Sequence, residues 1–419
     1  MENLLKDSYF WTKAKADAHR MLHILHGALP GPPVQSHNSL CWKTTFKVCL
    51  KNGVLSVVLG KYYYSHAFSS GNDVINDTRA YYVNMLTDRM TEGVDTNYVC
   101  IPRIFLAGFP KSGSTFLADS VTSHTKIFNG MTKEPKWWVP TPRGPNNSPF
   151  KATVLYVTKY LLQYVDHSNW YAEQDSEVTL IDSSPNLIAQ WSNIGIEETF
   201  EDACLLPAVF STFLSNPHFI IIMRNPVEFL YSAFWCSCSS TIFHNYNLDT
   251  AEAKRGPNVF HSMVVRHLNE FQKCHKIFSV EQCILNQSFI VDKHPQDFHC
   301  GFVSLDFAVY YVHLVKWLSV FPRENFFFIH GEDFFKNPAQ SLKDIWRYLG
   351  LTEPGLSIYT LFQPSPNKNS QQRYNYHTDT NLQMLPETRV LLEEFFEPFN
   401  KILAELLNDR RFLYKEPTF

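Results

Sequence analysis

Residues 103–116 read RIFLAGFPKSGSTF: an apolar run, a glycine-framed loop, then a helix-like pattern. The run has the length and composition of a strand covered on both faces. Four residues separate Gly108 from Gly113, and Ser114 and Thr115 follow, which is the frame of a nucleotide phosphate loop. In a Walker loop a lysine follows the second glycine directly. Here Ser114 holds that slot, and the only lysine, Lys111, lies inside the loop. Successive backbone N–H groups and a helix N-terminus make such a turn an anion site.

Outward from this turn, three more apolar runs read as strands: 178–184 (VTLIDSS), 218–224 (HFIIIMR) and 325–334 (NFFFIHGEDF). They alternate with helical periodicity from Ile101 onward, which predicts an α/β fold: a central parallel sheet with helices on both faces. Ligands in such sheets bind beyond the carboxyl ends of the strands. A helix starting near Gly113 would turn Phe116, Leu117, Ser120 and Val121 to one side. Another, with Pro226 at its first position, would bury Phe229, Leu230, Ala233 and Phe234. Residues 385–407 read as two helical pieces broken near Pro398. The first 99 residues mix a helix-like start, a proline-rich break and a helix-like stretch at 77–90. They are expected to form an extension packed on a catalytic domain at 100–419.

The bulk numbers exclude several classes. The 419 residues are 45% hydrophobic and 18% charged with a net charge of −3, which fits a globular protein and argues against a nucleic-acid partner. Nine cysteines are too few for a disulfide scaffold, and Cys236 and Cys238 are spaced too tightly for a zinc pair. Cys41 with Cys49, and Cys283 with Cys300, are either local bridges or buried thiols. Sequons at Asn76, Asn146 and Asn286 are about as many as chance supplies. The first 25 residues lack the apolar core of a signal peptide, and no run approaches the ~20 apolar residues of a membrane span, so a soluble chain is expected.

A second strand-to-helix turn, MRNPVEFLYSAFW (223–235), places Arg224 at a strand end and Ser232 eight residues on. An arginine forks onto a phosphate while a serine hydroxyl donates to another oxygen. Together, FPKSGSTFL and IIIMRNPVEFLYSAFW closely resemble the two cofactor signatures of sulfotransferases that use 3′-phosphoadenylyl sulfate (PAPS). The resemblance spans roughly residues 100 to 407 and includes TLIDSSP (179–185), GEDFFKNPAQSLKDIWRYLGL (331–351) and MLPETRVLLEEFFEPFN (384–400).

The resemblance implies a P-loop-like sulfotransferase fold in which Lys111, Ser112, Gly113, Ser114 and Thr115 hold the 5′-phosphosulfate, and Arg224 and Ser232 the 3′-phosphate. Lys111 would also stabilise the leaving phosphate oxygen. Glu134, in TKEPKWWV, resembles the glutamate of a KEPHWW-like segment in Golgi carbohydrate sulfotransferases, including the branch acting on N-acetylgalactosamine 4-sulfate, and would be the general base. The histidine segment of cytosolic members has no match, which favours a carbohydrate acceptor of the glycosaminoglycan type. Lys133 and Lys136 would then meet an anionic glycan, and Trp137 or Trp138 either packs on a sugar or belongs to the core. Lys368 and Arg373, in 365–378, would cover the cofactor, although that loop departs from the family's NKSKGR form. No metal is expected, because a sulfuryl group carries less charge than a γ-phosphoryl. Location follows the family to the Golgi lumen, with the cytoplasm as the alternative, since no anchor is visible. Rival readings are a P-loop kinase or other NTPase, a non-catalytic nucleotide- or glycan-binding relative, and a sulfotransferase for small-molecule acceptors.

Overall fold

The apolar runs at 104–108, 218–223, 179–182 and 326–330 assemble side by side, because each is too apolar to leave either face in water. In the computed structural model the described residues are 102–130, 134, 179–189, 207, 210–211, 214, 216–235, 256–285, 305–353 and 382–414. The backbone of six strands before residue 101 is also described. Those six are β1 (Val34–Ser36), β2 (Ser39–Thr44), β3 (Phe46–Lys51), β4 (Val54–Leu59), β5 (Tyr62–Ala67) and β6 (Asn97–Cys100). They form two antiparallel three-stranded sheets, ordered β1-β2-β6 and β3-β4-β5. The helix-like readings at the N-terminus and at 77–90 lie outside the described residues.

The central sheet holds β7 (Ile104–Gly108), β8 (Ile127–Asn129), β9 (Thr179–Asp182), β10 (His218–Met223) and β11 (Phe326–His330), in the order β11-β10-β7-β9-β8. Every pairing in it is parallel. From β7 the chain goes on to β8 and β9 on one side and then crosses to β10 on the other, so a topological switch point falls at the carboxyl end of β7. Alternate residues feed two cores. Phe105, Ala107, Phe219, Ile221 and Met223 face one, and Ile104, Leu106, Ile220, Ile222 and Ile329 the other.

Helices cover both faces, as the sequence pattern predicts. On the second face lie α1 (Ser114–Val121), which buries Leu117, Ala118 and Val121, and α7 (Pro338–Tyr348), which buries Leu342, Ile345 and Trp346. The first face takes α2 (226–235), α3 (Gly256–His275), α5 (Tyr310–Leu318) and α8 (Pro386–Leu407). Two short helices, α4 (Val280–Leu285) and α6 (Gly331–Lys336), complete the set used below.

Four expectations need correction. The run 325–334 is strand only to His330, and α6 begins at Gly331. A side chain at Gly331 would press on the Met223 carbonyl at 3.0 Å, and Glu332 and Asp333 favour a helix's first turn. Residues 386–407 form one helix through Pro398. Pro398 and Glu394, whose carbonyl loses its usual donor, are both exposed, so water satisfies that oxygen. Phe116 is 39% exposed, outside the core face of α1, with its ring near Phe334. Cys283 is bonded to Cys274, not Cys300, and the bridge joins the end of α3 to α4. Cys41, Cys49 and Cys300 offer no described side chain, although the backbone register sets Cys41 opposite Cys100.

Candidate functional site

The loop at the end of β7 combines two left-handed residues, Lys111 at φ 62° and Gly113 at φ 95°. A lysine in that region costs roughly 1–2 kcal/mol, which the surrounding packing must offset. Gly113 is the N-cap of α1, so the helix begins directly at the end of the loop with no side chain capping it. A side chain at Gly113 would overlap the Phe335 ring, and one at Gly108 would meet Ile188 at 2.7 Å. Both glycines therefore answer to protein packing as well as to any ligand.

Ser112 is fully buried. Its hydroxyl stands beside that of Tyr310, turned toward the protein. Ser114 is also buried, Thr115 is exposed, and Lys111 is half-buried with no ion pair among the described residues.

The second turn follows β10, the hydrogen-bonded neighbour of β7, so the two turns stand side by side. Asn225 caps α2 by accepting the Val227 N–H at 2.9 Å, and its own N–H donates to Glu332 Oε1 at 2.8 Å. The Arg224 carbonyl accepts the Tyr310 hydroxyl at 2.9 Å. Tyr310 also packs its ring 4.5 Å from Phe109, so one buried side chain touches both turns. Burial, helped by the negative charge of Glu332, pushes its hydroxyl far above the usual tyrosine range, so it acts as a donor and never as an anion. Ser232 lies half-buried on α2, eight residues after Arg224, which precedes the helix.

The described part of the chain carrying both turns falls within residues 102–381, which match the family described as "Sulfotransferase domain". The chain belongs to the sulfotransferase family. It is 26% identical over 333 residues to carbohydrate sulfotransferase 15 of Homo sapiens, covering 75% of this chain and 55% of that protein. The Mus musculus protein of the same name is 25% identical over 332 residues, with the same coverage. A carbohydrate sulfotransferase 15 of Nototodarus sloanii is 29% identical over 147 residues, covering 35% of this chain and 85% of that one. The chain thus spans just over half the length of the mammalian relatives it matches. Among solved structures, a sulfotransferase from Alicyclobacillus acidocaldarius covers 74% of this chain and 96% of its own, with a TM-score of 0.46 and 16% identity. Mouse SULT7A1, solved in complex with PAP, covers 73% and 87%, with a TM-score of 0.36 and 16% identity.

The structure brings Lys111, Ser112, Gly113, Ser114 and Thr115 onto one turn, and Arg224 and Ser232 onto the neighbouring turn and the helix that follows it. Glu134 is described in isolation, half-buried, with its flanking residues outside the described ones. Lys133, Lys136, Trp137, Trp138, Lys368 and Arg373 also lie outside them. Sequence reasoning did not single out Tyr310, Glu332, Glu228 or Arg389. Glu228 was legible as the residue midway between Arg224 and Ser232. Tyr310 and Arg389 reach the turns only through tertiary packing.

Proposed function

We propose that the protein transfers a sulfuryl group from PAPS to a hydroxyl of a carbohydrate acceptor of the glycosaminoglycan type. The observation that carries this reading is the pair of anion-binding turns on adjacent parallel strands, one with a displaced lysine and one with an arginine and a serine. The first turn's backbone donors and Lys111 would hold the 5′-phosphosulfate, and Arg224 with Ser232 the 3′-phosphate. PAPS supplies an activated sulfuryl group. The acceptor oxygen attacks sulfur in line, its proton passes to Glu134, and the bond to the 5′-phosphate oxygen breaks as Lys111 balances the charge left there. Ser112 contributes through its N–H, because its side chain is turned inward. The carbohydrate acceptor rests on the distant likeness to proteins named carbohydrate sulfotransferase 15.

Residues 100–419 are proposed as the transferase unit and 1–99 as its extension. A Golgi luminal site of action is supported by the Cys274–Cys283 bridge, since such bonds persist in oxidising compartments. Among the described residues no helix is long and apolar enough to cross a membrane. Labelled sulfate transfer from PAPS to chondroitin, dermatan and heparan, beside phenols and sterols, tests the reading. Label on a glycan supports it, and label confined to phenols or sterols overturns the acceptor.

A further inference from the structure

The turn proposed to receive a 3′-phosphate carries a carboxylate that opposes such a ligand. Glu228 lies one turn before Ser232 on α2, with Oε2 3.9 Å from Nη2 of Arg224, which precedes the helix. Left to itself, Glu228 would occupy Arg224 and repel a phosphate bound between Arg224 and Ser232.

The opposing charge comes from another element. Arg389, in the first turn of α8, places Nη2 2.6 Å from the other carboxylate oxygen, Glu228 Oε1. Burial alone would lower its affinity for its proton, but the hydrogen bond and charge of Glu228 outweigh that and hold it above the ordinary arginine range. Its second neighbour, Glu393, is 3.7 Å away and more than half exposed, so water screens that pair. The start of α8 is fixed by two further ties. The Tyr231 hydroxyl of α2 donates to the Leu382 carbonyl, and His261 of α3 bonds the buried Thr388 hydroxyl at 2.7 Å.

Resting on the proposed PAPS reading, we infer that Arg389 is a positioning residue for the 3′-phosphate subsite. By neutralising Glu228 it leaves Arg224 available and gives the protein its preference for a nucleotide phosphorylated at the 3′ position.

The test is calorimetric titration of the full chain with adenosine 3′,5′-bisphosphate and, separately, adenosine 5′-monophosphate. The wild-type chain is expected to bind the bisphosphate more tightly. Arg389→Ala should reduce that preference about tenfold or more, while monophosphate affinity stays within about twofold. Adding Glu228→Gln to Arg389→Ala should restore most of the preference, because the uncompensated carboxylate is then gone. A general packing role would weaken both nucleotides alike and would not be rescued. Where Arg389→Ala does not fold, Arg389→Gln keeps the stem and is read by the same ratio. A variant that retains the wild-type preference, or a double variant that does not regain it, overturns the role of Arg389. A wild-type chain that binds both nucleotides equally overturns the Arg224–Ser232 reading itself, and this inference with it.

Discussion

Lys111 sits where the chain adopts a left-handed conformation unusual for a lysine, inside a loop whose helix lacks an N-cap side chain. If its amine balances charge on the leaving oxygen, Lys111→Ala should lower kcat by about 10²–10³-fold with a smaller change in nucleotide affinity. Single-turnover kinetics beside a binding titration would separate the two effects. Glu134→Gln should cost about 10²–10⁴-fold in kcat, the range for loss of a general base. Ser112 behaves oppositely. Its hydroxyl is buried beside Tyr310, so Ser112→Ala should leave nucleotide affinity within about twofold and lower stability by about 1 kcal/mol, as read by calorimetry and thermal melting. The residue types of this loop were legible from spacing alone. The direction of the Ser112 side chain was not, because it depends on Tyr310, nearly 200 residues away in the chain.

At the scale of elements, strand cores were the most legible feature. A run such as HFIIIM buries on both faces wherever it occurs, and β10 ends at Met223, one residue short of the expected run to Arg224. Boundaries were less legible. The aromatic run after Asn325 continues the strand pattern, but the close approach of Gly331 to Met223 turns the chain into α6. Pro398 misled because a proline's penalty depends on whether the orphaned carbonyl reaches water, which the sequence does not state. The Asn-Gly pair at 52–53, between strands in register at Lys51 and Val54, was an available hairpin signal. The Cys274–Cys283 bridge closes a short loop between α3 and α4. Replacing Cys274 with alanine should lower unfolding free energy by about 2–3 kcal/mol in urea titration, the chain-entropy value for a loop of this size.

For the whole molecule, a buried and a half-buried histidine tie stability to pH. Burial, with the charge of Lys316 adding to it, pulls His313 down to about 3. Burial and then Arg103 pull His218 down to about 4. Both are neutral in the fold but take a proton near 6.5 when unfolded, so the unfolded state binds more protons below that pH. Their contribution to stability is therefore complete above about pH 6.5 and is lost as pH falls toward the folded values. The loss is on the order of 1.4 kcal/mol per pH unit for each histidine. The urea midpoint should fall between pH 6.5 and pH 5, and His313→Phe should flatten that slope.

The two turns on adjacent parallel strands, with the Arg389–Glu228 pair beside the second, are what support the proposed transfer of a sulfuryl group. Incubation with sulfate-labelled PAPS and a glycosaminoglycan acceptor, wild-type chain beside Lys111→Ala, measures that directly. The expected result is label on the glycan with the wild-type chain and its near-complete loss with Lys111→Ala. Equal labelling by both chains, or no transfer from PAPS to any acceptor, would contradict it.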